Sequence, residues 1–235
     1  MKLAIIGCGG HGRVILDIAR RCGHTVVGFL DDDPSKHGRE IHGVKVLGST
    51  PSIRDWPKRQ TPRGVVVAIG DNHQRAELFA RVRAWGFETP NLIHPQTVVA
   101  SQVELTEGLV MMAGVVLNPG CRVGLNVCIN TGARVDHDCV LHDHCHVFPG
   151  SILTGGVEVG EYSYIGSGAV INPYRKVGRD SYVGSGAVVI HDVPDGVVVA
   201  GVPAKVTRNH ACGQGPPRTN PGVLTGSVGH EEDEH

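Results

Sequence analysis

The sequence predicts two structural classes in series: an α/β, Rossmann-like half domain over residues 1–90, then a parallel β-helix of hexapeptide repeats over residues 91–208. Three observations predict it. A glycine-rich turn follows an apolar strand at the N-terminus. Aliphatic side chains recur at every sixth position from Val99 to Val189. The chain carries 33 glycines and only 4 % aromatic residues, a balance that suits a tightly turned β architecture better than a helical globule.

In chain order, Lys2–Ile6 reads as a buried strand. Gly7-Cys8-Gly9-Gly10-His11-Gly12 follows, then an amphipathic helix from about Arg13 to Cys22. A second strand, Thr25–Leu30, runs into Asp31-Asp32-Asp33. A third, Gly64–Ile69, leads to Gly70-Asp71-Asn72, and His73–Trp85 reads as a helix. This is a βαβ-type pattern. Gly7, Gly9 and Gly12 satisfy G-x-G-x-x-G, and Asp32 lies twenty residues past Gly12. Alone, that spacing reads as an NAD site, with pyrophosphate on a helix N-terminus and an acid on the ribose. A dinucleotide needs both halves of a doubly wound sheet, however, and only one fits before residue 90, so a mononucleotide diphosphate fits better. A tight turn that simply needs glycine accounts for the same residues without a ligand.

Stepping by six from Val99 gives Leu105, Met111, Leu117, Val123, Ile129, Val135, Leu141, Val147, Leu153, Val159, Ile165, Ile171, Val177, Val183 and Val189 without a break in register. Roughly half of residues in an ordinary chain are apolar, so sixteen aliphatic residues in strict register are not chance. A strand alternates with period 2 and a helix with period 3.6, so period six needs a turn in every unit. The next position is rich in Gly, Asn and Asp (Gly124, Asn130, Asp136, Gly160, Gly166), residues that tolerate a positive φ at a corner. Four positions after the aliphatic residue, small side chains recur, including Cys121, Cys139 and Cys145, which read as buried fillers rather than ligands. Three sides close an eighteen-residue triangular coil, and stacked coils bury one aliphatic column.

This repeat resembles the hexapeptide-repeat acyltransferases. The resemblance implies a left-handed β-helix, against the usual right-handed crossover, and a homotrimer with active sites between subunits. The run G-C-G-G-H-G-R-V, F-L-D-D, A-I-G-D-N-x-x-R, L-I-H-P and then a hexapeptide helix, spanning Met1 to about Lys205, resembles the sugar O- and N-acetyltransferases of the sialic-acid and bacillosamine pathways. By that resemblance Gly9, Gly10, His11 and Gly12 meet the phosphates or ribose of a nucleotide sugar, and Asp31 and Asp32 meet its base. Asn72, in the matched D-N motif, joins them as a substrate-binding residue. Asn130, His146, Gly155, Ser167 and Ser185 are implied to contact acetyl-CoA. Ser167 and Ser185 lie eighteen residues apart, each in a G-S-G-A unit, as a ligand lying along the coil axis requires. Good corner residues would look the same. Lys205, in the G-V-P-A-K run of the last coil, reads as a surface lysine, with contact to CoA phosphates as the alternative that the resemblance offers.

The segment Val135–His146 holds His137, His142, His144 and His146. Acyl transfer to an amine needs a base, and a histidine near its ordinary pKa serves. The resemblance, through V-D-H-D-C, implies His137 as that base with Asp138 as its carboxylate. Asp136 and a carboxylate from a neighbouring subunit remain alternatives. Hexapeptide helices also include γ-type carbonic anhydrases, so zinc on His142, His144 and His146, which share one parity, is a rival reading. Solvated rim residues are the reading preferred for His142 and His144.

The formal net charge of −1 excludes a basic nucleic-acid-binding field. No run approaches the roughly 18 apolar residues of a membrane helix, and MKLAIIG is too short for a signal peptide. Seven cysteines without C-x-x-C pairing read as reduced thiols in a cytoplasmic protein. Residues 209–235 read as a disordered tail. The expectation is an acetyl-CoA-dependent N-acetyltransferase, without a metal, acting on the 4-amino group of a UDP-linked amino sugar by direct transfer. O-acetylation of a sialic-acid-type sugar and N-acetylation of a GDP-linked amino sugar are the alternatives within the class. A zinc enzyme and a non-catalytic trimeric scaffold are the alternatives outside it.

Overall fold

A computed structural model describes residues 1–56, 61–210, 213 and 215. The N-terminal part is built on a three-stranded parallel sheet in the order β2 (Thr25–Leu30), β1 (Lys2–Ile6), β5 (Gly64–Val67). Helix α1 (Gly10–Arg21) connects β1 to β2, and α2 (Asn72–Ala84) follows β5. A short antiparallel pair, β3 (Glu40–Ile41) and β4 (Val44–Lys45), lies in the β2–β5 connection and has no counterpart in the periodicity of the sequence.

Helix α1 starts three residues earlier than the sequence predicts, inside the glycine loop. The reason is packing. Gly7 has φ +95°, and a Cβ on Gly12 would collide with the Gly7 carbonyl, so the helix turns directly off the end of β1. Helix α2 begins at Asn72, because the Asp71 carboxylate caps it by accepting from the Gln74 N–H at 2.8 Å.

The hexapeptide register produces a three-sided parallel solenoid. The first face carries strands Val98–Val99, Val116–Leu117, Arg134–Val135, Ile152–Leu153, Val170–Ile171 and Val188–Val189. The second carries Glu104–Leu105, Arg122–Val123, Val140–Leu141, Glu158–Val159 and Lys176–Val177. The third runs from Leu92–Ile93 through Val110–Met111, Cys128–Ile129, His146–Val147, Tyr164–Ile165 and Tyr182–Val183 to Val197–Ala200. Lys205–Asn209 folds back antiparallel on that last strand and covers its edge. From Leu92–Ile93 to Val188–Val189 each strand is two residues long, so one side chain points in and one out. From Met111 to Val189 the inward residue is the predicted aliphatic one, at most 2 % exposed. Cys121, Cys139 and Cys145 sit in the same interior as buried free thiols.

One expectation about the corners is corrected. The positive φ falls three positions after the aliphatic residue, at Gln102, Asn126, Asp138, His144, Tyr162, Tyr174, Asp180 and the intervening glycines. It does not fall at the next position. The Gly residues there answer a different need: a Cβ on Gly160 would stand 2.6 Å from the Arg179 nitrogen of the next coil, and one on Gly166 2.6 Å from that of Ser185.

The three outer faces differ. The second presents Glu104, Arg122, Glu158 and Lys176. The third is covered by the chain's own N-terminal part: Val110, Cys128 and Met112 share one apolar cluster with Ile15, Ile18 and Ala19 of α1. The first presents Val98, Val116, Ile152, Val170 and Val188 around a single Arg134, with no other described element over them. Most of the 209–235 tail lies outside the described residues.

Candidate functional site

His137 stands on the corner between the first and second faces. Its Nδ1 lies 2.8 Å from Asp138 Oδ2, with both side chains more than half exposed. Local geometry makes this adjacent pair possible. Asp138 has φ +59°, so its carboxylate folds back toward the preceding ring instead of diverging as on an extended strand. Asp136 Oδ1 accepts from the His137 N–H at 2.8 Å and from Asn118 Nδ2 at 2.7 Å, which anchors the turn. Glycines in the neighbouring coils make room. A Cβ on Gly155 would stand 2.5 Å from His137 Nε2, and one on Gly120 would strike the Asp138 carboxylate. The hydrogen bond from Asp138 raises the His137 pKa above its ordinary value, with Asp136 adding to it. With Nδ1–H donated to Asp138, the free lone pair is on Nε2, the arrangement of a general base. Asn118 and Gly120 went unremarked in the sequence because their partners lie eighteen residues away.

A second assembly occupies the junction of the two parts. His146 points outward from the third face and is 4 % exposed. Its ring centroid is 6.0 Å from that of His11 on α1. Among the described residues neither nitrogen of His146, nor Nε2 of His11, has a partner within hydrogen-bond distance, although the Gly70 backbone lies near enough to His146 to favour its protonation. Burial, then the nearby Arg75 cation, pushes the His11 pKa down to about 4 and that of His146 well below the usual value. Burial is thus the main reason that His11 stays neutral. Arg75 is itself fully buried and donates to carbonyls of both parts of the chain. Asn72 is wholly buried too. Its amide donates to the Tyr162 and Ser163 carbonyls at 2.7 and 3.2 Å, and its N–H to the Tyr164 hydroxyl at 2.7 Å, so its side chain docks the two parts together.

A cavity of about 240 Å³ opens beside the glycine loop, lined in part by Gly7, Asp31, Asp32, Asp33, Thr50 and Gln74. Asp31 accepts from the Cys8 N–H and thiol, the Asp33 N–H and Lys36. Burial opposes its charge, but these donors hold its pKa down at about 2. Asp32 uses Oδ1 on the Thr50 N–H at 2.6 Å. Gly9 and Gly10 are exposed at the start of α1 with open space where a Cβ would stand, as a phosphate at a helix N-terminus requires.

Ser167 and Ser185 are exposed on the corner between the third and first faces, one coil apart, with the Gly186 N–H on the Ser167 carbonyl at 2.9 Å. Asn130 is half-buried and accepts from the Thr131 N–H. Gly155 lies under the His137 ring, away from the serine corner. The other histidines disperse. His142 pairs with Glu158 at 3.0 Å on the second face. His144 is not a solvated rim residue: it stacks on Tyr162 at the junction, where burial lowers its pKa to about 4. A corner with φ +61° at His144 breaks the common parity that the zinc reading needs. Among the described residues no group of three His, Cys, Asp or Glu side chains could hold a metal ion, and no helix is long and apolar enough to cross a membrane.

Comparison with known proteins agrees with this fold. Residues 2–82 match the family described as PglD N-terminal domain, and residues 138–173 match bacterial transferase hexapeptide (six repeats). The chain is 42 % identical to a histidine variant of perosamine N-acetyltransferase from Caulobacter crescentus, solved in complex with CoA and GDP-perosamine. The match covers 89 % of this chain and 98 % of that one, with a TM-score of 0.85. The acetyltransferase domain of PglB from Neisseria gonorrhoeae, in complex with acetyl coenzyme A, is 38 % identical over 88 % of this chain and 98 % of its own, with a TM-score of 0.81. GDP-perosamine N-acetyltransferase of Escherichia coli O157:H7 is 29 % identical over 69 % of this chain and 74 % of its own length.

Proposed function

The chain belongs to the hexapeptide-repeat sugar N-acetyltransferases, which acylate nucleotide-linked amino sugars from acetyl-CoA, and on that premise we propose that its acceptor is a GDP-linked 4-amino sugar of the perosamine type. A GDP acceptor replaces the UDP acceptor expected from the sequence. It is favoured because the Caulobacter crescentus protein was solved with GDP-perosamine and the Escherichia coli relative is a GDP-perosamine N-acetyltransferase.

The observation that carries the chemistry is the His137–Asp138 pair at 2.8 Å, poised on an open corner. The acceptor amine attacks the thioester carbonyl carbon, a C–N bond forms, and His137 Nε2 takes the amine proton. The tetrahedral intermediate collapses, the C–S bond breaks, and the proton passes to the CoA thiolate. Asp138 orients the ring and stabilises the imidazolium. His137 and Asp138 are the catalytic residues of this reading. Gly9, Gly10, His11, Gly12 and Asp32 bind the nucleotide diphosphate, and Asn130, His146, Ser167 and Ser185 bind acetyl-CoA.

The protein acts as a homotrimer. Among the described residues, only the first of the three outer faces is both apolar and uncovered, as an interface must be. The corners that flank this face carry His137 on one side and Ser167 and Ser185 on the other. Packing three such faces about an axis sets the base of one subunit against the serine column of the next.

Purified protein is assayed with acetyl-CoA against GDP- and UDP-linked 4-amino sugars by release of free CoA. Turnover is expected with a GDP sugar. Turnover confined to UDP sugars overturns the nucleotide assignment, and no CoA release from any amino sugar overturns the reaction. Mixing His137→Ala subunits with Ser167→Trp subunits should restore part of the activity lost in each, because some mixed sites receive neither change.

A further inference from the structure

Arg75 is 2 % exposed, yet no ion pair among the described residues includes it. Its guanidinium is held by carbonyl oxygens alone. Nη1 donates to Ile69 at 3.3 Å, Nε to Asn126 at 3.3 Å, and Nη2 to His144 at 2.7 Å and Cys145 at 3.4 Å. One of those carbonyls belongs to the loop after β5, two belong to the solenoid corner that leads into His146, and that of Asn126 belongs to the equivalent corner one coil earlier. A planar fork of five donors suits divergent carbonyls, whereas an ammonium has three donors at a single point.

Burying a cation without a counter-ion is costly, and apolar side chains of similar volume often pack as well or better. Docking alone therefore does not call for a charge here. Near Arg75 stand the facing rings of His146, which is buried, and His11, which is partly buried, with three buried nitrogens that no described residue satisfies within hydrogen-bond distance. The other titratable groups around this assembly are Tyr164, Cys128 and Cys145 on the third face, Asp71 on the loop, and His144, whose carbonyl accepts from Arg75 and whose ring the same cation also keeps from protonating. None of the described ion pairs offers His11 or His146 a carboxylate.

We propose that Arg75 is a positioning residue for acetyl transfer: it pins the loop after β5 to the corner before His146, and its fixed cation keeps protons off the two facing imidazoles. The neutral rings then offer hydrogen bonds of either sense to the bound reactants, where an imidazolium would only donate. The inference rests on the acetyltransferase reading for its purpose, but its charge effect is measurable without substrate.

The test is ¹⁵N-histidine NMR titration of the whole protein, with His11 and His146 assigned by single substitution. Wild type, Arg75→Lys, which keeps the charge, and Arg75→Gln, which keeps donors but loses it, are compared. In wild type both rings should remain neutral to about pH 5, well below a free histidine. In Arg75→Gln their titration should rise by about one unit or more, the order of effect of a nearby like charge in a buried site. The acid limb of kcat/KM should steepen from one proton toward two. Arg75→Lys should titrate as wild type. If Arg75→Gln does not fold, the wild-type titration still decides: imidazolium signals from His11 or His146 at about pH 6 overturn the proposal. Unchanged titration in Arg75→Gln, with turnover reduced equally at every pH, also overturns it, leaving a docking residue only. Failure of the acetyltransferase reading would appear separately, as absence of CoA release in wild type.

Discussion

The His137 corner and the His11–His146 junction use one side chain in opposite ways. At the corner the ring is open to solvent and hydrogen-bonded to a carboxylate, which raises its pKa. At the junction His146 is buried and His11 partly so, without an ion-paired carboxylate, and burial first and a fixed cation second lower their pKa values. One site is set up to accept a proton and the other to refuse one. The residue type carries neither property; burial and the sign of the nearest charge decide it.

The largest expected effect removes the acceptor of protons. His137→Ala should reduce kcat by about 10²–10⁴-fold, the usual contribution of a positioned base, with little change in thermal stability. Activity within a few-fold of wild type would end the assignment of His137. Next comes the ground beneath the ring: Gly155→Ala should cost about 10²-fold in kcat by displacing the imidazole, without changing its chemistry. Full activity there, measured at saturating acetyl-CoA, would mean that the ring can move without consequence.

Asp138→Asn sharpens the comparison by its pH dependence. Asp138 raises the His137 pKa, and the base works unprotonated. The acid limb of kcat/KM in wild type should therefore lie above that of an ordinary histidine, and the variant should move it to lower pH while the plateau falls. A limb that stays in place would assign the titration to another group.

The junction makes the opposite prediction, read in stability. Its histidines are neutral when folded and protonate near pH 6.5 when unfolded, so the unfolded chain binds more protons as pH drops. Stability should thus be full above about pH 6.5 and decline toward pH 4, the value near which His11 and His144 titrate in the fold. The decline should be smaller in His11→Asn. Smallest of all, His142→Ala removes a half-exposed pair with Glu158 on the second face and should alter stability by less than about 1 kcal/mol and leave turnover unchanged.

Much of this could be read in the chain. The inward aliphatic column is a direct consequence of period six, and from Met111 onward it is buried as expected. Strand β2 has the predicted bounds. The V-D-H-D-C segment pointed to His137 and Asp138, although extended-strand geometry argued against their contact. The corner dihedral of Asp138 removed that objection. His144 was misread because the element it contacts, through Tyr162 and Phe79, lies in another part of the chain. Arg75 was visible only as a motif letter. Its meaning depends on carbonyls 51, 69 and 70 positions away.

The sequence by itself determined the class of each part and the register of the solenoid, because alternation, glycine turns and a strict repeat act over a few residues and tolerate few alternatives. Tertiary structure alone decided which outer face was covered, since that follows from where the N-terminal part docks. It also decided which histidines were wet and which were dry. A side chain's proton affinity is set by solvent and charges within a few ångströms, and those neighbours come from distant coils of the chain.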